Sequence, residues 1–390
     1  MTRRLYYDDS YLTHFQAAVV EASPDRKRVV LDGSAFYPTS GGQPFDLGSM
    51  NGIRVTDVID EGVHVVHYLE KPLEGDAVEA EIDWTRRFDH MQQHTGQHLL
   101  SAVLAELFKF ETVSFHLGAE SSTIDLETPA ISAAQIQAAE RRVNELIFEN
   151  RPVDVTYIDA SEATDLRKAS DRSGTLRVVS IRDLDRSACG GTHVRATGEI
   201  GAVLLRKTDK VRGNVRLEFL CGGRAVGRAR ADFDALAKIA QAFSCPLDDA
   251  PALVATQLDR IQESEKARRK LAVELAQHRG RQLYEQAEAG ADGMRRYVTR
   301  IAHGGIPDEI RTEAQSFTSQ PKAIYAAVCA DPPSILLAAS ADSGVHAGNL
   351  LKSELQKTGG RGGGNAQLAQ GSAPEVGALD GLLAGLQISN

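Results

Sequence analysis

The 390-residue sequence is poor in the features that mark secreted or membrane-spanning proteins. Its four cysteines, at positions 189, 221, 245 and 329, are too few and too scattered for a disulfide framework. It contains no uninterrupted apolar run of the roughly 18 residues that a membrane helix needs, and its first residues, Met1 to Asp9, do not form an apolar signal segment. We therefore expect a cytoplasmic protein with no membrane association.

The sequence also lacks the positive charge typical of proteins that bind nucleic acid indiscriminately. The formal net charge is −9, and the 42% hydrophobic and 25% charged residues are ordinary for a globular chain. Between Arg206 and Asp232, however, eight basic residues face three acidic ones. This local excess of five positive charges could face a phosphate backbone, although taken alone it is explained slightly better by a solvated strand and helix surface.

Two short motifs carry the chemistry of the sequence. His94 and His98 are four residues apart, so on a helix both imidazoles lie on one face. Cys189 and His193 are also four apart, in a Gly-rich segment where Gly190 and Gly191 permit a turn. Three imidazoles and one thiol form a ligand set suited to tetrahedral Zn²⁺, and we expect one ion per chain. His90 lies on the same helix face, and we interpret it as a neighbour of the site or a surface residue.

The pattern of the chain predicts an α+β, multidomain protein. Short alternating segments separated by Asp-Gly and Glu-Gly turns predict a small β-barrel over residues 1–85. A helical period from Arg86 onwards, followed by mixed strands and helices, predicts an α+β zinc-binding domain over 86–224. A long helical segment or hairpin is expected over 225–290, interrupted near Ser244, and an α/β domain over 291–390. The helical segment could separate domains or form a homodimer seam.

Two glycine-rich segments stand out within this scheme. Residues 36–48 include Gly41 and Gly42, which expose backbone N–H groups, so a ligand or a neighbouring domain could approach closely; a tight barrel turn is the alternative. Residues 359–371 place five glycines around Arg361, and we interpret them as a loop. Such a loop can cradle phosphate or sugar oxygens, or it can be a flexible connector.

These motifs carry a family resemblance. His94-Thr-Gly-Gln-His98 with Cys189-Gly-Gly-Thr-His193 resembles the editing domain shared by alanyl- and threonyl-tRNA synthetases. Residues 37–48 resemble the glycine motif of freestanding alanyl-tRNA editing proteins, and residues 359–371 are similar to the Gly-rich signature of the alanyl-tRNA synthetase C-terminal domain. The three occur in the family's order. The sequence is thus identified as a member of the freestanding alanyl-tRNA editing proteins, of the long, C-terminally extended type.

The resemblance implies an aminoacyl-tRNA hydrolase that acts on tRNA(Ala) mischarged with Ser or Gly, with zinc at His94, His98, Cys189 and His193. The synthetase editing domains carry a Gln in the hairpin after the first metal helix, and here Ser114, Phe115 or His116 occupies that region. The substrate-pocket candidates are Gln97, Ser114, His116, Gly41, Gly42 and Gln43. The tRNA-binding candidates are Arg206, Lys207, Lys210, Arg212, Arg216, Gly360, Arg361, Gly362 and Gly363.

Two roles for the zinc ion remain open at this stage. An ion with three protein ligands would lower the pKa of a bound water to about 7, whereas four protein ligands would close the coordination sphere. The ion would then shape the pocket without making the nucleophile. The alternative functions are a zinc hydrolase of another ester, a non-catalytic zinc-containing tRNA-binding or dimerisation factor, and, less favoured, a phosphoesterase.

Overall fold

The computed structural model describes residues 1–168 and 173–388. The chain divides into two compact units, Met1–Ile239 and Ala240–Asn390. Unit 1 combines a closed β-barrel with three smaller sheets and helices, and unit 2 is an α/β sheet with helices on both faces. The predicted mixture of helices and strands in more than one compact unit is therefore confirmed.

The barrel of unit 1 is closed by six strands in the order β2-β3-β7-β6-β5-β8. A short helix, α1, precedes it, and β1 pairs with β4 beside it. Its interior is filled by apolar side chains that alternate along the strands, such as Val55 and Val65. The elements of this region are β1 (Arg3–Arg4), α1 (Leu5–Asp8), β2 (His14–Ala22), β3 (Arg28–Leu31), β4 (Gly33–Ser34), β5 (Gly48–Met50), β6 (Ile53–Glu61), β7 (His64–Leu69) and β8 (Ala77–Ile82).

The glycine-rich loop of residues 36–48 leaves the barrel and packs against the next part of unit 1. Gly41 and Gly42 both have positive φ, 56° and 86°, which side chains with a Cβ rarely adopt. A Cβ at Gly42 would also lie 2.6 Å from the carbonyl oxygen of Phe115. Leu117 N donates to Gly42 O at 3.1 Å. Gly42 thus permits the close approach of a neighbouring segment that was expected of this loop, whereas a Cβ at Gly41 would meet no atom within 4 Å.

Helix α2 (Trp84–Phe108) is the central element of unit 1. It begins at Asp83, whose side chain accepts a hydrogen bond from Arg86 N, and it ends at Lys109 in the left-handed conformation. Its apolar residues pack into the main core, Leu99 and Val103 among them. The opposite face is polar and still buried, because the glycine-rich loop and later strands cover it.

The remainder of unit 1 contains two antiparallel sheets, β14-β15-β10-β9 and β11-β12-β13. Ser132 caps α3 in a reciprocal capping box with Gln135, as the sequence predicted for a helix beginning there. These elements are β9 (Thr112–Leu117), β10 (Ser122–Leu126), α3 (Ala133–Phe148), β11 (Val153–Asp159), β12 (Thr175–Ile181), β13 (Asp185–Ala188), β14 (Val203–Val211), β15 (Asn214–Cys221) and α4 (Gly222–Phe243).

Unit 2 has a five-stranded sheet in the order β16-β17-β18-β20-β19. Successive residues of β17 alternate between an apolar cluster on one face and a second cluster on the other, so this strand is buried on both sides. The elements are α5 (Ala250–Gln286), β16 (Arg295–His303), α6 (Asp308–Thr318), β17 (Ala323–Asp331), β18 (Ser334–Ala339), α7 (Ala347–Lys357), β19 (Arg361–Gly364), β20 (Leu368–Ser372) and α8 (Ala378–Gly385).

Three sequence-based assignments differ from the structure. The glycine-rich segment after α7 is a strand and not a loop, because Gly362 pairs with Gly371 at a distance that no Cβ would permit. The sequence also predicts a short helix from about Ser161 to Ala169. The structure has a single 3₁₀ turn there, Ala160–Glu162, and Ala169 lies outside the described residues. Strand β16 and helix α6 were not predicted. The expected interruption near Ser244 is confirmed, since α4 ends at Phe243.

Within the described residues, no helix combines the length and the apolar composition required to cross a membrane.

Candidate metal centre

The structure brings the four predicted metal ligands together. One nitrogen of each of His94, His98 and His193 and the sulfur of Cys189 all lie within 4.8 Å of one another. The three imidazoles are 3–4% exposed, and Cys189 is partly buried. Helix α2 supplies the first pair, and the turn after β13 supplies the second.

The arrangement of the donor atoms fits a tetrahedral zinc ion. Cys189 Sγ lies 3.5 Å from His94 Nε2 and 3.3 Å from His193 Nε2. With Zn–N bonds of about 2.0–2.1 Å and a Zn–S bond of about 2.3 Å, the ligand atoms of a tetrahedral site are about 3.3–3.8 Å apart. The two donor separations fall within that range, so the residues present could hold this ion.

Each of the three imidazoles is also oriented from behind. The Nδ1 atom of each ring lies within hydrogen-bond distance of a buried side-chain oxygen, which leaves Nε2 to face the centre of the group. The three contacts are His94 with Gln43 Oε1 at 2.8 Å, His98 with Asp185 Oδ2 at 3.0 Å and His193 with Thr95 Oγ1 at 3.1 Å. Such contacts are typical of histidines that bind a metal.

The charges of the group follow from its burial and its internal hydrogen bonds. Burial opposes ionisation of Cys189, but the adjacent imidazoles of His94 and His193 outweigh it and hold the pKa of the thiol well below its usual value. Burial would lower the pKa of His98, yet hydrogen bonds to Asp185 and Cys189 raise it to about 9. Burial lowers the pKa of His193 to about 3. The thiolate that a metal ligand requires is therefore favoured.

Gly191 is required because the imidazole of His94 lies against it. The sequence instead predicts that Gly190 and Gly191 permit a turn. Neither Gly190 nor Gly191 has the positive φ that the predicted turn suggested. A Cβ at Gly191 would instead lie 2.2 Å from Cε1 of His94, whereas a Cβ at Gly190 would approach only Tyr7 Oη, at 3.3 Å. The glycine at 191 thus makes room for a metal-site imidazole.

The group opens onto a cavity of about 650 Å³. Phe115 stacks on the ring of His94 with the ring centroids 5.4 Å apart. The aromatic members of the cavity wall are Tyr6, Tyr7, Tyr37, Phe115 and Tyr157. Among the described residues, the cationic members of the wall are Arg4, Arg167, Lys168 and Arg177, against one carboxylate, Asp60. The cavity therefore suits a ligand that carries negative charge and flat rings.

The predicted pocket residues occupy different positions around this cavity. Gly41, Gln97 and Ser114 line it. Gly42 lies against the backbone of Phe115, and Gln43 is fully buried behind His94, so both support the site from outside the cavity. His116 points to the opposite face of β9 from Phe115, is exposed, and is not part of the described cavity wall.

Several functional side chains escaped the sequence analysis. Thr95 and Asp185 orient imidazoles, and Arg177 donates to the carbonyl oxygens of Cys189, at 2.7 Å, and Gly191, at 3.0 Å. Thr95 could have been found, because it lies between the two histidines of the first motif. Asp185 and Arg177 have no local signal, since the pairing of β12 with β13 and the packing of β13 against helix α2 bring them to the site.

His90 is buried and not a surface residue, although it lies one turn before His94. It is 2% exposed, and burial lowers its pKa to about 3. Its Nδ1 atom has no hydrogen-bond partner among the described residues. It does not belong to the four-residue metal group.

The basic tRNA-binding candidates of unit 1 lie on the β14–β15 hairpin. Arg206 pairs with Asp232, and Arg216 makes a two-point contact with Asp125 at 2.7 and 2.9 Å. Lys207, Lys210 and Arg212 are exposed towards the tip of the hairpin. The candidates of unit 2 are Gly360 and the residues of β19, which is an exposed edge strand of its sheet.

Comparison with known proteins agrees with this geometry. A family model described as the threonyl and alanyl tRNA synthetase second additional domain matches residues 176–218, which include Cys189 and His193. An alanine–tRNA ligase of Pyrococcus abyssi is 31% identical over 394 residues, covering 96% of this chain and 42% of the ligase. The chain thus spans less than half the length of that relative.

Two other relatives match over most of their own length. The alanyl-tRNA editing protein Aarsd1 of Bos taurus is 32% identical over 348 residues, covering 83% of this chain and 76% of that protein. The alanyl-tRNA editing protein AlaX-L of Pyrococcus horikoshii is 32% identical over 393 residues, covering 95% of this chain and 94% of that protein. Because similarity at this level extends over nearly the whole of both chains, the chain described here belongs to the alanyl-tRNA editing protein family.

Proposed function

We propose that this chain is an aminoacyl-tRNA hydrolase that removes Ser from mischarged tRNA(Ala) in trans, with Gly-tRNA(Ala) as a second substrate. The products are the free amino acid and intact tRNA(Ala). The observation that carries this proposal is the buried His94, His98, Cys189 and His193 group, which opens onto a cavity with a cationic and aromatic wall. Membership of the alanyl-tRNA editing family supports the choice of substrate.

The four-residue group is proposed to hold one Zn²⁺ ion. Held by all four residues, the ion would fix the shape of the pocket; with one position open, it would lower the pKa of a bound water and favour its attack on an ester. The chain's own contribution is orientation. Gln43, Asp185 and Thr95 hold the three imidazoles, and Phe115 covers one face of His94 and excludes water from it.

Gln97 is proposed to recognise the hydroxyl group of the seryl moiety. It lines the cavity, is 7% exposed, and its Nε2 donates to Ser101 Oγ at 2.8 Å. Ser101 Oγ in turn lies 2.7 Å from Thr112 Oγ1. Because the amide nitrogen of Gln97 already donates to Ser101, the amide oxygen is left to accept a hydrogen bond from the substrate. An alanyl ester would place a methyl group against that oxygen and leave it buried without a partner, whereas a glycyl ester has no side chain and leaves room for a water molecule to donate to the oxygen.

We further propose that residues 86–224 form the hydrolytic domain and that the body of the tRNA is bound outside the cavity, by the β14–β15 hairpin of this domain and by unit 2. Lys207, Lys210 and Arg212 are exposed on the β14–β15 hairpin, and β19 is an exposed edge strand next to Gly360, whose own N–H donates to Leu355 O at 2.8 Å. If the lysines and Arg212 contact phosphates, neutralising each one should reduce the slope of the logarithm of the tRNA-binding constant against the logarithm of the salt concentration by about one.

In unit 2, exposed apolar residues of α5 such as Leu258 and Leu271 suit a homodimer interface, and sedimentation would test whether the chain forms a dimer.

The function is tested by single-turnover deacylation of tRNA(Ala) charged with Ser, Gly or Ala. We expect cleavage of the Ser and Gly esters and protection of the Ala ester. Cys189→Ala should lose both bound zinc and deacylation, whereas Cys245→Ala should retain both. Binding of Ser-tRNA(Ala) without cleavage by the zinc-loaded wild-type chain would establish a non-catalytic binding protein instead. Full activity in a zinc-free Cys189→Ala chain would refute the role of the metal group.

A further inference from the structure

Tyr157, Arg177 and Cys189 lie in one row across neighbouring strands of unit 1. Tyr157 of β11 is the direct partner of Arg177 of β12. Cys189 follows β13, and its backbone N–H donates to the carbonyl of Arg177 at 3.0 Å, which continues the β12–β13 pairing by one residue. Residues directly opposite one another in antiparallel strands point to the same face. All three accordingly line the cavity.

The most exposed residue of this row is Tyr157, at the end farthest from the metal group. Arg177 is 8% exposed and is held by its hydrogen bonds to the carbonyls of Cys189 and Gly191, so its position is fixed. Tyr157 is 50% exposed at the mouth of the cavity. An aromatic ring left half in water contributes little to the stability of the fold, and the face it exposes is directed towards the cavity.

The spacing of the row fits a nucleoside. Tyr157 and Cys189 lie two strand spacings apart, so their backbones are separated by about 9–10 Å across the sheet. An ester bond placed at the metal group would therefore put its ribose above Arg177 and the attached base at Tyr157. Of the four cations in the described wall, Arg4 pairs with Asp60 at 2.7 Å and Arg167 pairs with Asp185 at 2.6 Å. The positive charges of Lys168 and Arg177 attract the phosphate that precedes this nucleoside.

We propose that Tyr157 is the stacking platform for the terminal base of the aminoacyl-tRNA, at a distance from the metal group that the pairing of β11, β12 and β13 fixes. The inference rests on the proposed function, because it assigns the nucleoside end of the same substrate. Stacking on a tyrosine ring tolerates any base, so the platform holds the end of the tRNA without reading its sequence.

The test measures binding of 3′-(L-seryl)amino-3′-deoxyadenosine, an amide that resists ester hydrolysis, to the full zinc-loaded chain by calorimetry. Tyr157→Ala should weaken binding about 5- to 150-fold, the range that one base stack represents. Tyr157→Phe should stay within about twofold of wild type, because the ring remains. Tyr68→Ala, a matched change on the barrel strand β7, should bind like wild type. Serinamide, which has no nucleoside, should bind equally to all four proteins.

Two outcomes would overturn the proposal. One is unchanged affinity of Tyr157→Ala for the adenosine amide. The other is an equal loss of affinity for serinamide, which would indicate general damage to the cavity. Wild-type cleavage of Ser-tRNA(Ala) is measured in parallel. If the wild type cleaves Ser-tRNA(Ala) but Tyr157→Ala binds the adenosine amide as tightly as the wild type, only the stacking role of Tyr157 is refuted. If binding of the amide depends on Tyr157 but the wild type does not cleave Ser-tRNA(Ala), only the proposed hydrolase function is refuted.

Discussion

The amide oxygen of Gln43 lies 2.8 Å from Nδ1 of His94, although one residue belongs to the barrel loop and the other to helix α2. The same oxygen accepts from Thr192 N at 3.3 Å, next to His193. A single buried side chain thus ties the barrel to both halves of the metal group.

Gln43→Ala should weaken zinc binding about 10- to 100-fold, the usual effect of removing a hydrogen-bond partner behind a histidine ligand. Competition with a chromophoric chelator measures the affinity. Ser40→Ala alters the same loop without contacting a ligand and is the control. Equal zinc affinity in both variants would contradict the orienting role of Gln43.

Gly191→Ala should expel or displace the imidazole of His94, because the new methyl group would lie 2.2 Å from its Cε1 atom. We expect zinc affinity to fall at least as much as in Gln43→Ala. Gly190→Ala adds the same methyl group to the adjacent residue, where the nearest atom is 3.3 Å away, and it should retain zinc binding. Loss in both variants would mean that the turn itself requires glycine.

Gln97→Met should reduce kcat/KM for Ser-tRNA(Ala) about 3- to 10-fold relative to Gly-tRNA(Ala), which corresponds to one neutral hydrogen bond. Glycine has no side chain, so its ester is the internal reference. Ser114→Ala is a matched change on the cavity wall, since the hydroxyl of Ser114 is already directed to Asp125 at 2.7 Å. The assignment of Gln97 fails if the ratio of the two substrates is the same in both variants.

Arg87→Met should destabilise unit 1 by about 3–5 kcal/mol, because it leaves the carboxylate of Asp46 buried without its cation. Both side chains are fully buried, and Arg87 Nε lies 3.0 Å from Asp46 Oδ2. Denaturant unfolding gives the free energy. The double variant Arg87→Met with Asp46→Asn should recover part of the loss, since no charge remains buried; a double variant as unstable as the single one would argue against this cause.

The barrel should lose stability in mild acid through His67. Burial lowers the pKa of this side chain to about 4, from an ordinary value of 6.5. Below pH 6.5 the unfolded chain gains a proton that the folded chain does not, so the free energy of unfolding falls by about 1.4 kcal/mol per pH unit until about pH 4. Between pH 6.5 and 5 this amounts to about 2 kcal/mol.

The measurement for His67 is the free energy of unfolding at pH 7.5, 6.5 and 5, for wild type and His67→Gln. The glutamine retains a donor and an acceptor for Ser34 Oγ, which lies 2.8 Å from His67 Nε2. The variant should lose about 2 kcal/mol less than wild type between pH 6.5 and 5. Parallel curves over that interval would exclude His67 as the source.

The metal group could be predicted because its members carry local signals. His94 and His98 have helical spacing, and Cys189 and His193 repeat it. What joins the two pairs has no such signal. Asp185 reaches His98 because β13 packs against helix α2, 87 residues away along the chain, and nothing in the residues next to either one encodes that contact.

The fold shows the same division. Strands bounded by Asp-Gly or Glu-Gly turns and the capped helix α3 could be recognised from the sequence, because turns and caps are local. Strand β19 could not. Its run of glycines disfavours an isolated strand, and it is stable only because Gly371 on β20 lets the two backbones approach closely.

The loop of residues 36–48 belongs structurally to the metal site as much as to the barrel, since it contributes Gln43 behind His94, Gly42 beside Phe115 and Asp46 to Arg87. The barrel is therefore not a detachable module. A chimera that exchanges barrels between two relatives must therefore transplant this loop together with the helix it contacts. Otherwise the barrel strands of the chimera will fold correctly, but the imidazole of His94 will be misplaced for metal binding.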